Sequence, residues 1–445
     1  MSKWIVCKIG SIGRVVTGKT PSTLDKSNFG GPYPFITIPD LNGRVHIESS
    51  ERTLSIKGAE SIKSCLLPPG SVMMSCIATV GKCGITTKPS FTNQQINSVI
   101  PKNEFDSRFL YYVFTQISKQ IESAGSGGSV YTNLSKKRFS DIEINIPADI
   151  REQQAIAHIL GTLDDKIDLN RRMNETLEQM ARAIFKSWFV DFEPVRAKMS
   201  GRWKKGESLP GLPAHLWDLF PDRLVPSELG DIPEGWIIGT IKDVLSELVT
   251  GARPKGGAVL SGVPSIGAEN IIGLGHYDYS KEKYIPEEFF KQLESRRANV
   301  QNGDVLLYKD GAYIGRKTYF DCSFPHKKCA INEHVFILRT KNRWVQRYLF
   351  LWLDLPAITQ EIVALNSNSA QPGINQAGVN GLPLLQPLDE IVNEFDQIVK
   401  PIFDRIFKNC LESLSLSLVR DALLPKLIGE AIQLNDIGEL MENRK

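Results

Sequence analysis

Residues 151–189 read REQQAIAHILGTLDDKIDLNRRMNETLEQMARAIFKSWF, and their pattern is the clearest indication of the architecture. Their apolar residues recur at alternating spacings of four and three, from Ile156 and Leu160 to Trp188. This is the spacing of a narrow apolar seam along an α-helix. The stretch therefore predicts a long helix that packs against a second helix.

A second stretch with the same pattern lies near the end of the chain. Residues 389–428 repeat the seam, with Phe395 at the place of Ile156 and Ile398 at the place of Ile159. Polar Asn170 interrupts the first seam, and Asn174 does so again one turn later. Buried asparagines on such a seam fix the register between helices, whereas asparagines on the solvent face do not. The sequence leaves both roles open.

The repeat continues upstream of both helices. Thr17-Gly18 matches Thr250-Gly251, Gly70 matches Gly303, and Asn93 matches Asn332, always in the same order. Each copy is rich in glycine, proline and short apolar runs, which predict strands joined by loops. The predicted fold class is therefore α+β, with two homologous, mixed, strand-rich lobes that are each followed by a long helix.

These patterns divide the chain into successive segments. We predict a first lobe at 1–150, a helical spacer at 151–189, an ordered connector at 190–230, a second lobe at 231–387, a second helical spacer at 388–430 and a tail at 431–445.

Composition excludes several classes of protein. The 445 residues are 42% hydrophobic and 23% charged, as in globular chains, and no run of eighteen apolar residues predicts a membrane span. The N-terminus lacks the pattern of a signal peptide. Seven cysteines without a CxxC or Cys/His cluster favour reduced thiols and argue against structural zinc. We therefore expect a cytoplasmic protein without a metal site.

Excess positive charge is concentrated in the strand-rich lobes. Residues 1–150 carry 17 Lys and Arg against 11 Asp and Glu, and residues 232–387 carry 17 against 15. Such an excess indicates contact with a polyanion, although a solvated surface of mixed charge is the alternative.

Two polar loops lie at equivalent places in the copies. Residues 124–138 combine glycines, hydroxyls, an aromatic ring and three consecutive cations, whereas residues 366–376 are rich in amides and uncharged. Amides and hydroxyls recognise base edges, and cations hold phosphates. A shared scaffold that carries two different loops predicts that the two copies recognise different DNA sequences. The alternative is that both segments are ordinary surface loops.

Two further matched pairs of glycine turns end in cations, so the DNA-binding candidates fall into two groups. The candidates for phosphate or guanine contact are Lys19, Lys82, Lys136, Lys137, Arg253, Arg316 and Lys317. The candidates for base reading are Ser129, Tyr131, Asn368 and Gln371.

One motif points to a different chemistry. Residues 13–20, GRVVTGKT, satisfy the phosphate-loop pattern GxxxxGK[ST]. No amphipathic helix follows Thr20, and the second copy has Ser246 where the first has Gly13. A P-loop ATPase or nuclease-like DNA enzyme is one alternative function, and a coiled-coil scaffold that binds protein is another. We assign no catalytic residue.

With these features, the chain resembles the specificity subunit of a type I restriction–modification system. The resemblance covers nearly the whole length. It rests on the duplicated lobe-plus-helix plan, on TGKTP at 17–21, on the first long helix and on VRDALLPKLIGEAI at 419–432. The second copy departs from it by opening with TGARP, in which Arg253 replaces the threonine at Thr20.

The resemblance implies a non-catalytic subunit that acts on double-stranded DNA. Each lobe would be a target-recognition domain for one half of a split, asymmetric sequence. The helices would pack as an antiparallel coiled coil, separate the lobes and dock two modification subunits, which restriction subunits join. S-adenosylmethionine, ATP and magnesium would then be cofactors of those partners. A helix of forty residues is about 60 Å long, so we expect helix length to set the gap between half-sites.

Overall fold

The structure is a computed structural model with side chains. It describes residues 3–77, 79–125, 134–228, 230–342, 345–366 and 373–429. The chain forms two compact units: unit 1 is Met1–Leu169 with Ser413–Lys445, and unit 2 is Asn170–Glu412. The division falls inside both long helices, so each unit contains one strand-rich lobe and a segment of each helix.

The lobe of unit 1 is built mainly from short strands. The strands are β1 (Trp4–Lys8), β2 (Gly13–Thr17), β3 (Phe29–Ile36), β4 (His46–Ile47), β5 (Arg52–Leu54), β6 (Val72–Ser75), β7 (Cys83–Thr86), β8 (Phe91–Thr92), β9 (Ile96–Pro101) and β10 (Glu143–Pro147). The α-helices are α1 (Ile9–Ile12), α2 (Ile56–Ser61), α3 (Ser107–Gly125), α4 (Lys136–Asp141) and the long α5 (Ile150–Phe189), which continues into unit 2.

The strands of unit 1 form three sheets. The largest has the order β2-β9-β6-β7-β4, a second has the order β5-β3-β8, and β1 pairs with β10. Strand β6 is buried on both faces: Val72 and Met74 belong to one apolar core, and Met73 belongs to another. This explains why its sequence is a continuous apolar run rather than an alternating one.

Unit 2 follows the same plan after a connector. Its strands are β11 (Leu224–Ser227), β12 (Gly230–Pro233), β13 (Ile237–Thr240), β14 (Leu245–Thr250), β15 (Val263–Ile266), β16 (Ile271–Gly273), β17 (His276–Tyr277), β18 (Tyr284–Ile285), β19 (Val305–Tyr308), β20 (Lys317–Tyr319), β21 (Ala330–Ile331), β22 (Val335–Thr340) and β23 (Pro383–Gln386). The α-helices are α6 (Glu193–Met199), α7 (Ile241–Val244), α8 (Glu287–Ser295), α9 (Val345–Leu353), α10 (Pro356–Ala364), α11 (Gln376–Gly381) and the long α12 (Asp389–Ile428).

Three sheets of unit 2 repeat those of unit 1, while β11-β12 and β16-β17 form two further pairs and β4 has no counterpart. The order β14-β22-β19-β20 matches β2-β9-β6-β7, the order β18-β15-β21 matches β5-β3-β8, and the pair β13-β23 matches β1-β10. The central strand of the small sheet makes one antiparallel and one parallel pairing in both units. The predicted fold class, with two homologous α+β lobes, is confirmed.

The two long helices run antiparallel where they meet. In unit 2, Asn170 contacts Asn409 and Glu412, whereas Phe185, four turns further along α5, contacts Phe395. Residue numbers therefore rise along one helix as they fall along the other. Phe185, Trp188 and Phe189 of α5 join residues of α9 and α12 in the large core of unit 2.

A proline separates two helices after the large sheet of unit 2. Helix α9 ends at Leu353, and Pro356 opens α10. Proline has no amide hydrogen for the preceding turn but suits the first position of a helix. The connector at 190–230 is ordered by buried aromatic side chains, among them Trp203 and Phe220.

No helix among the described residues has the length and apolar character that crossing a bilayer requires.

Candidate nucleic-acid interface

Four segments of unit 1 meet at one end of its large sheet. We call them the loop edge of unit 1: residues 17–20, 76–82 without 78, 93–95 and 134–138. Backbone hydrogen bonds tie them together, since Lys19 N donates to Thr92 O at 3.0 Å, Cys76 N to Gln95 O at 2.7 Å and Leu134 N to Cys76 O at 2.8 Å. Segments distant in sequence are thus held side by side.

A buried side-chain amide also holds two of these segments together. Asn97 on β9 accepts a hydrogen bond from Thr17 Oγ1 at 2.6 Å and donates to Leu134 O at 3.1 Å. Because a buried amide is costly without partners, this network holds the segment before α4 against the end of β2.

The predicted cations of unit 1 lie on this edge. Lys19, Lys82, Lys136 and Lys137 are exposed, and none of them forms an ion pair within the described part of the chain. Arg138 follows on the same helix, whose N-cap Ser135 accepts from Arg138 N. The loop edge of unit 1 carries no aspartate or glutamate. Its chemistry suits phosphate groups.

The equivalent segments of unit 2 meet in the same way. The loop edge of unit 2 comprises residues 250–254, 309–316, 332–334 and 373–376. Lys309 N donates to His334 O at 3.0 Å, and Ile374 N donates to Lys309 O at 2.8 Å. The duplicated sequence thus builds the same edge twice.

Carboxylates distinguish the second edge from the first. Asp310 Oδ2 lies 2.9 Å from His334 Nδ1, and Glu333 Oε1 lies 3.4 Å from His334 Nε2. Arg253, a predicted candidate, lines a pocket of about 90 Å³ together with Glu333 and His334. Neither Asp310 nor His334 is among the predicted site residues, because a lone histidine in a strand-rich lobe has no distinctive spacing.

Arg316 is exposed at the end of the loop between β19 and β20. Its guanidinium carbon lies 3.7 Å from the centre of the Tyr313 ring, so the two side chains stack. Tyr313 was not among the predicted site residues, although its position three residues before an arginine in a glycine turn was visible in the sequence.

The structure contradicts the prediction for Lys317. Its ammonium is buried, donates to Leu353 O at 2.7 Å and Thr359 Oγ1 at 2.6 Å, and lies 3.6 Å from Asp354. Burial lowers the pKa of this lysine. Successive side chains of a strand point to opposite faces, so Lys317 points inward where Arg316 points out. It is unavailable to DNA in this conformation.

Four candidate base-reading residues cannot be placed. Ser129, Tyr131, Asn368 and Gln371 all lie outside the described residues. Their assignment stays a prediction from the sequence.

The phosphate-loop motif does not form a phosphate loop. Residues Gly13–Thr17 are strand β2, paired antiparallel with β9. A Cβ atom at Gly18 would lie 2.2 Å from Asn93 O, so this glycine serves close backbone packing. The structure shows no α-helix between Thr20 and α2, whereas a phosphate loop must open a helix.

Most cysteines among the described residues are buried. No group of three or more His, Cys, Asp and Glu side chains there is arranged to hold a metal ion. Burial raises the pKa of Cys76 to about 11 and that of Cys410 to about 12, so these thiols are poor nucleophiles.

Comparison with known proteins gives a consistent result. A family model described as "Type I restriction modification DNA specificity domain" matches residues 1–179. The chain is 27% identical over 439 residues to the type I restriction enzyme MjaIX specificity subunit of Methanocaldococcus jannaschii, covering 98% of this chain and 94% of that protein. It is 38% identical over 178 residues to the HindI specificity subunit of Haemophilus influenzae, covering 39% of each.

A solved structure supports the fold. The crystal structure of a type I restriction–modification S subunit from M. genitalium superposes with a TM-score of 0.50 over 96% of both chains, at 15% sequence identity. At this identity the similarity concerns the architecture alone.

Proposed function

Because this chain belongs to the family of type I restriction–modification specificity subunits, we propose that it reads a split, asymmetric DNA target, one half with each lobe. The observation that carries the proposal is the duplicated loop edge. Both units present the same four segments, yet the first edge is cationic and the second is mixed in charge. Equal frames with different surfaces suit two different half-sites.

The phosphate contacts would come mainly from unit 1. Lys19, Lys82, Lys136 and Lys137 stand without carboxylate partners among the described residues, so they are free to neutralise a DNA backbone. Arg253 is the corresponding candidate in unit 2, beside the pocket that contains His334.

The proposed function includes partner subunits. Two modification subunits would dock on the long helices and methylate adenine, and restriction subunits would join them to cut DNA. The chain itself would act without catalysis. S-adenosylmethionine, ATP and magnesium would be bound by those partners.

Mapping of methylated adenines tests this function. The chain is produced with its modification partner in a host that lacks other adenine methylation, and the modified positions are sequenced. We expect one bipartite motif with two unequal halves. The partner produced alone is the control and should leave no such motif. Methylation without any sequence preference would contradict the proposal and would favour a coiled-coil scaffold.

Nucleotide binding tests the enzyme alternative. We expect the purified chain to bind no ATP in equilibrium dialysis, because residues 13–17 form a strand. Saturable ATP binding that Lys19→Ala abolishes would overturn this expectation and restore the P-loop interpretation.

A further inference from the structure

The loop between β19 and β20 of unit 2 has a tightly determined backbone. Tyr308 N donates to Arg316 O at 2.8 Å, Gly315 N donates to Tyr308 O at 3.1 Å, and Arg316 N donates to Tyr313 O at 3.0 Å. Gly315 has a backbone φ of +86°, which residues with a Cβ atom rarely adopt. The backbone position from which the Arg316 side chain extends is therefore well defined.

The side chain of Arg316 is also oriented. Its guanidinium lies 3.7 Å from the ring centre of Tyr313, which is itself 44% exposed. A planar guanidinium stacked on an aromatic ring keeps its donors free in the plane, and this arrangement costs less side-chain entropy on binding. Within the described part of the chain, Arg316 has no carboxylate partner. Its donor fork is available for a ligand.

The surroundings of Arg316 favour a base over a phosphate. Asp310 lies in the same loop, and Glu333 lies in the adjoining segment of the loop edge. Both carboxylates would repel a phosphate, but they are suitable acceptors for the exocyclic amino groups of cytosine and adenine. The loop edge of unit 1 has no carboxylate at all. The edges of bases carry both hydrogen-bond donors and acceptors, so a protein surface that presents both kinds of group can recognise them.

We propose that Arg316, oriented by Tyr313, reads a guanine in the half-site of the second lobe. Its two terminal nitrogens would donate to O6 and N7 in the major groove, the bidentate contact that arginine makes with guanine. Tyr313 is a positioning residue. The inference rests on the proposed function and adds to it one residue and one base.

The test compares variants in the complete complex with the modification partner. Methylation of a DNA library with randomised target positions gives the base preference at each position. We expect Arg316→Gln to lower the guanine preference about 10- to 100-fold at one position of one half-site, with the other positions unchanged. Arg316→Lys keeps the charge but loses the planar fork, so it should relax the same position.

Variants of the ring separate positioning from packing. Tyr313→Phe keeps the stack and should keep the guanine preference. Tyr313→Ala should relax the same position as Arg316→Gln, by a smaller factor. Arg296→Gln is the matched control, because Arg296 is an exposed arginine of unit 2 that lies outside the loop edge.

The remaining outcomes contradict the proposal. If Arg316→Gln weakens methylation equally on all sequences and flattens the salt dependence of binding, the residue contacts phosphate. If the guanine preference stays unchanged in both Arg316 variants, Arg316 does not recognise a base. A parent complex without any sequence preference would instead refute the proposed function itself, so the two failures are distinguishable.

Discussion

At the scale of single residues, two glycines determine how closely the segments of each loop edge approach. A Cβ atom at Gly18 would lie 2.2 Å from Asn93 O, and one at Gly251 would lie 2.1 Å from Ile331 O. Neither separation is possible between real atoms, so both positions require glycine. The threonine-glycine pairs visible in the sequence repeat thus mark the sites where one backbone crosses another.

Substitution of Gly251 tests this packing. Gly251→Ala forces the backbone just after β14 away from that of Ile331, and we expect a loss of about 1–3 kcal/mol in the free energy of unfolding. Urea unfolding of the purified chain measures the loss. Gly381→Ala is the control, because a Cβ atom at Gly381 meets nothing within 4 Å. An equal effect of both substitutions would contradict the steric explanation.

The adjacent lysines of α4 provide a second test at this scale. Replacing Lys136 and Lys137 with alanine removes from the loop edge of unit 1 two cations that have no ion-pair partner among the described residues. We expect weaker DNA binding on all sequences and a reduction of about 2 in the slope of log K against log salt, about 1 for each phosphate contact.

Titration of DNA into the complex at several salt concentrations measures both effects. The matched control replaces Lys57 and Lys63, two exposed lysines of unit 1 outside the loop edge that pair with Asp25 and Glu60. A salt slope equal to that of the parent would refute the assignment of Lys136 and Lys137.

At the scale of elements, the paired helices of unit 2 contain a buried polar network. Asn409 Nδ2 donates to Asn174 Oδ1 at 2.8 Å, and Asn174 Nδ2 donates to Ile406 O at 3.2 Å. Asn170 is also fully buried and donates to Glu412. Of the two roles that the sequence left open, the solvent-facing one is wrong. Buried asparagines at a helix seam specify the register at some cost in stability.

A double-mutant cycle measures this network. Asn174→Leu alone leaves the amide of Asn409 without its partner, and we expect a loss of about 1–3 kcal/mol in unfolding free energy. The double variant with Asn409→Leu as well removes both amides and should recover part of that loss. Urea unfolding of the parent, both single variants and the double variant gives the coupling energy. Purely additive effects would show that the amides do not interact.

Within unit 1, the helix segments meet through charge. Asp164 of α5 accepts from Tyr112 at 2.5 Å and from Arg420 of α12 at 2.6 Å. Arg420 lies in the segment VRDALLPKLIGEAI, one of the stretches that carried the family resemblance. The nearby carboxylates of Asp164 and Asp421 raise the pKa of Arg420 even though burial opposes this. Arg420 of this segment therefore joins α12 to α5 within unit 1.

For the molecule as a whole, the main feature is that the chain contains two copies of one lobe, each followed by a long helix. Both units share three sheets and the loop edge, and both contain a segment of each of α5 and α12. The helices are continuous, with bounds of Ile150–Phe189 and Asp389–Ile428. Their length is therefore a property that can be changed without altering either lobe.

Lengthening both helices tests whether they set the gap between half-sites. One heptad inserted near Asn170 and another near Asn409 adds two turns and keeps the apolar seams nearly in phase. The added length is about 10 Å, equal to about three base pairs. We expect the gap to grow by that amount while both half-sites stay the same.

Methylation mapping reads the gap directly. Seven residues inserted after Gly206, in an exposed turn of the connector, form the control and should leave the gap unchanged. An unaltered gap in the variant with longer helices would show that the spacing is set elsewhere.

Local patterns accounted for most of the architecture. The helices, the duplicated lobes and the apolar strands followed from periodicity and repeats, because burial of one helix face or of both sheet faces demands a regular sequence. The cations at Lys19, Lys82 and Lys136 were also visible, since a glycine turn or a helix start exposes the side chains beside it. Periodicity and repetition in the sequence therefore predicted the main elements, their duplication and the resemblance to a protein family.

Whether adjacent side chains face outward or inward depends on tertiary packing. Arg316 and Lys317 are neighbours of equal charge, yet one is exposed on Tyr313 and the other is buried beside Leu353. The difference depends on the register of β20 against β19 and on the packing of α9 and α10. The same holds for Asp310 and His334, which are 24 residues apart in sequence. Such contacts arise from pairing between distant segments, which local periodicity does not encode.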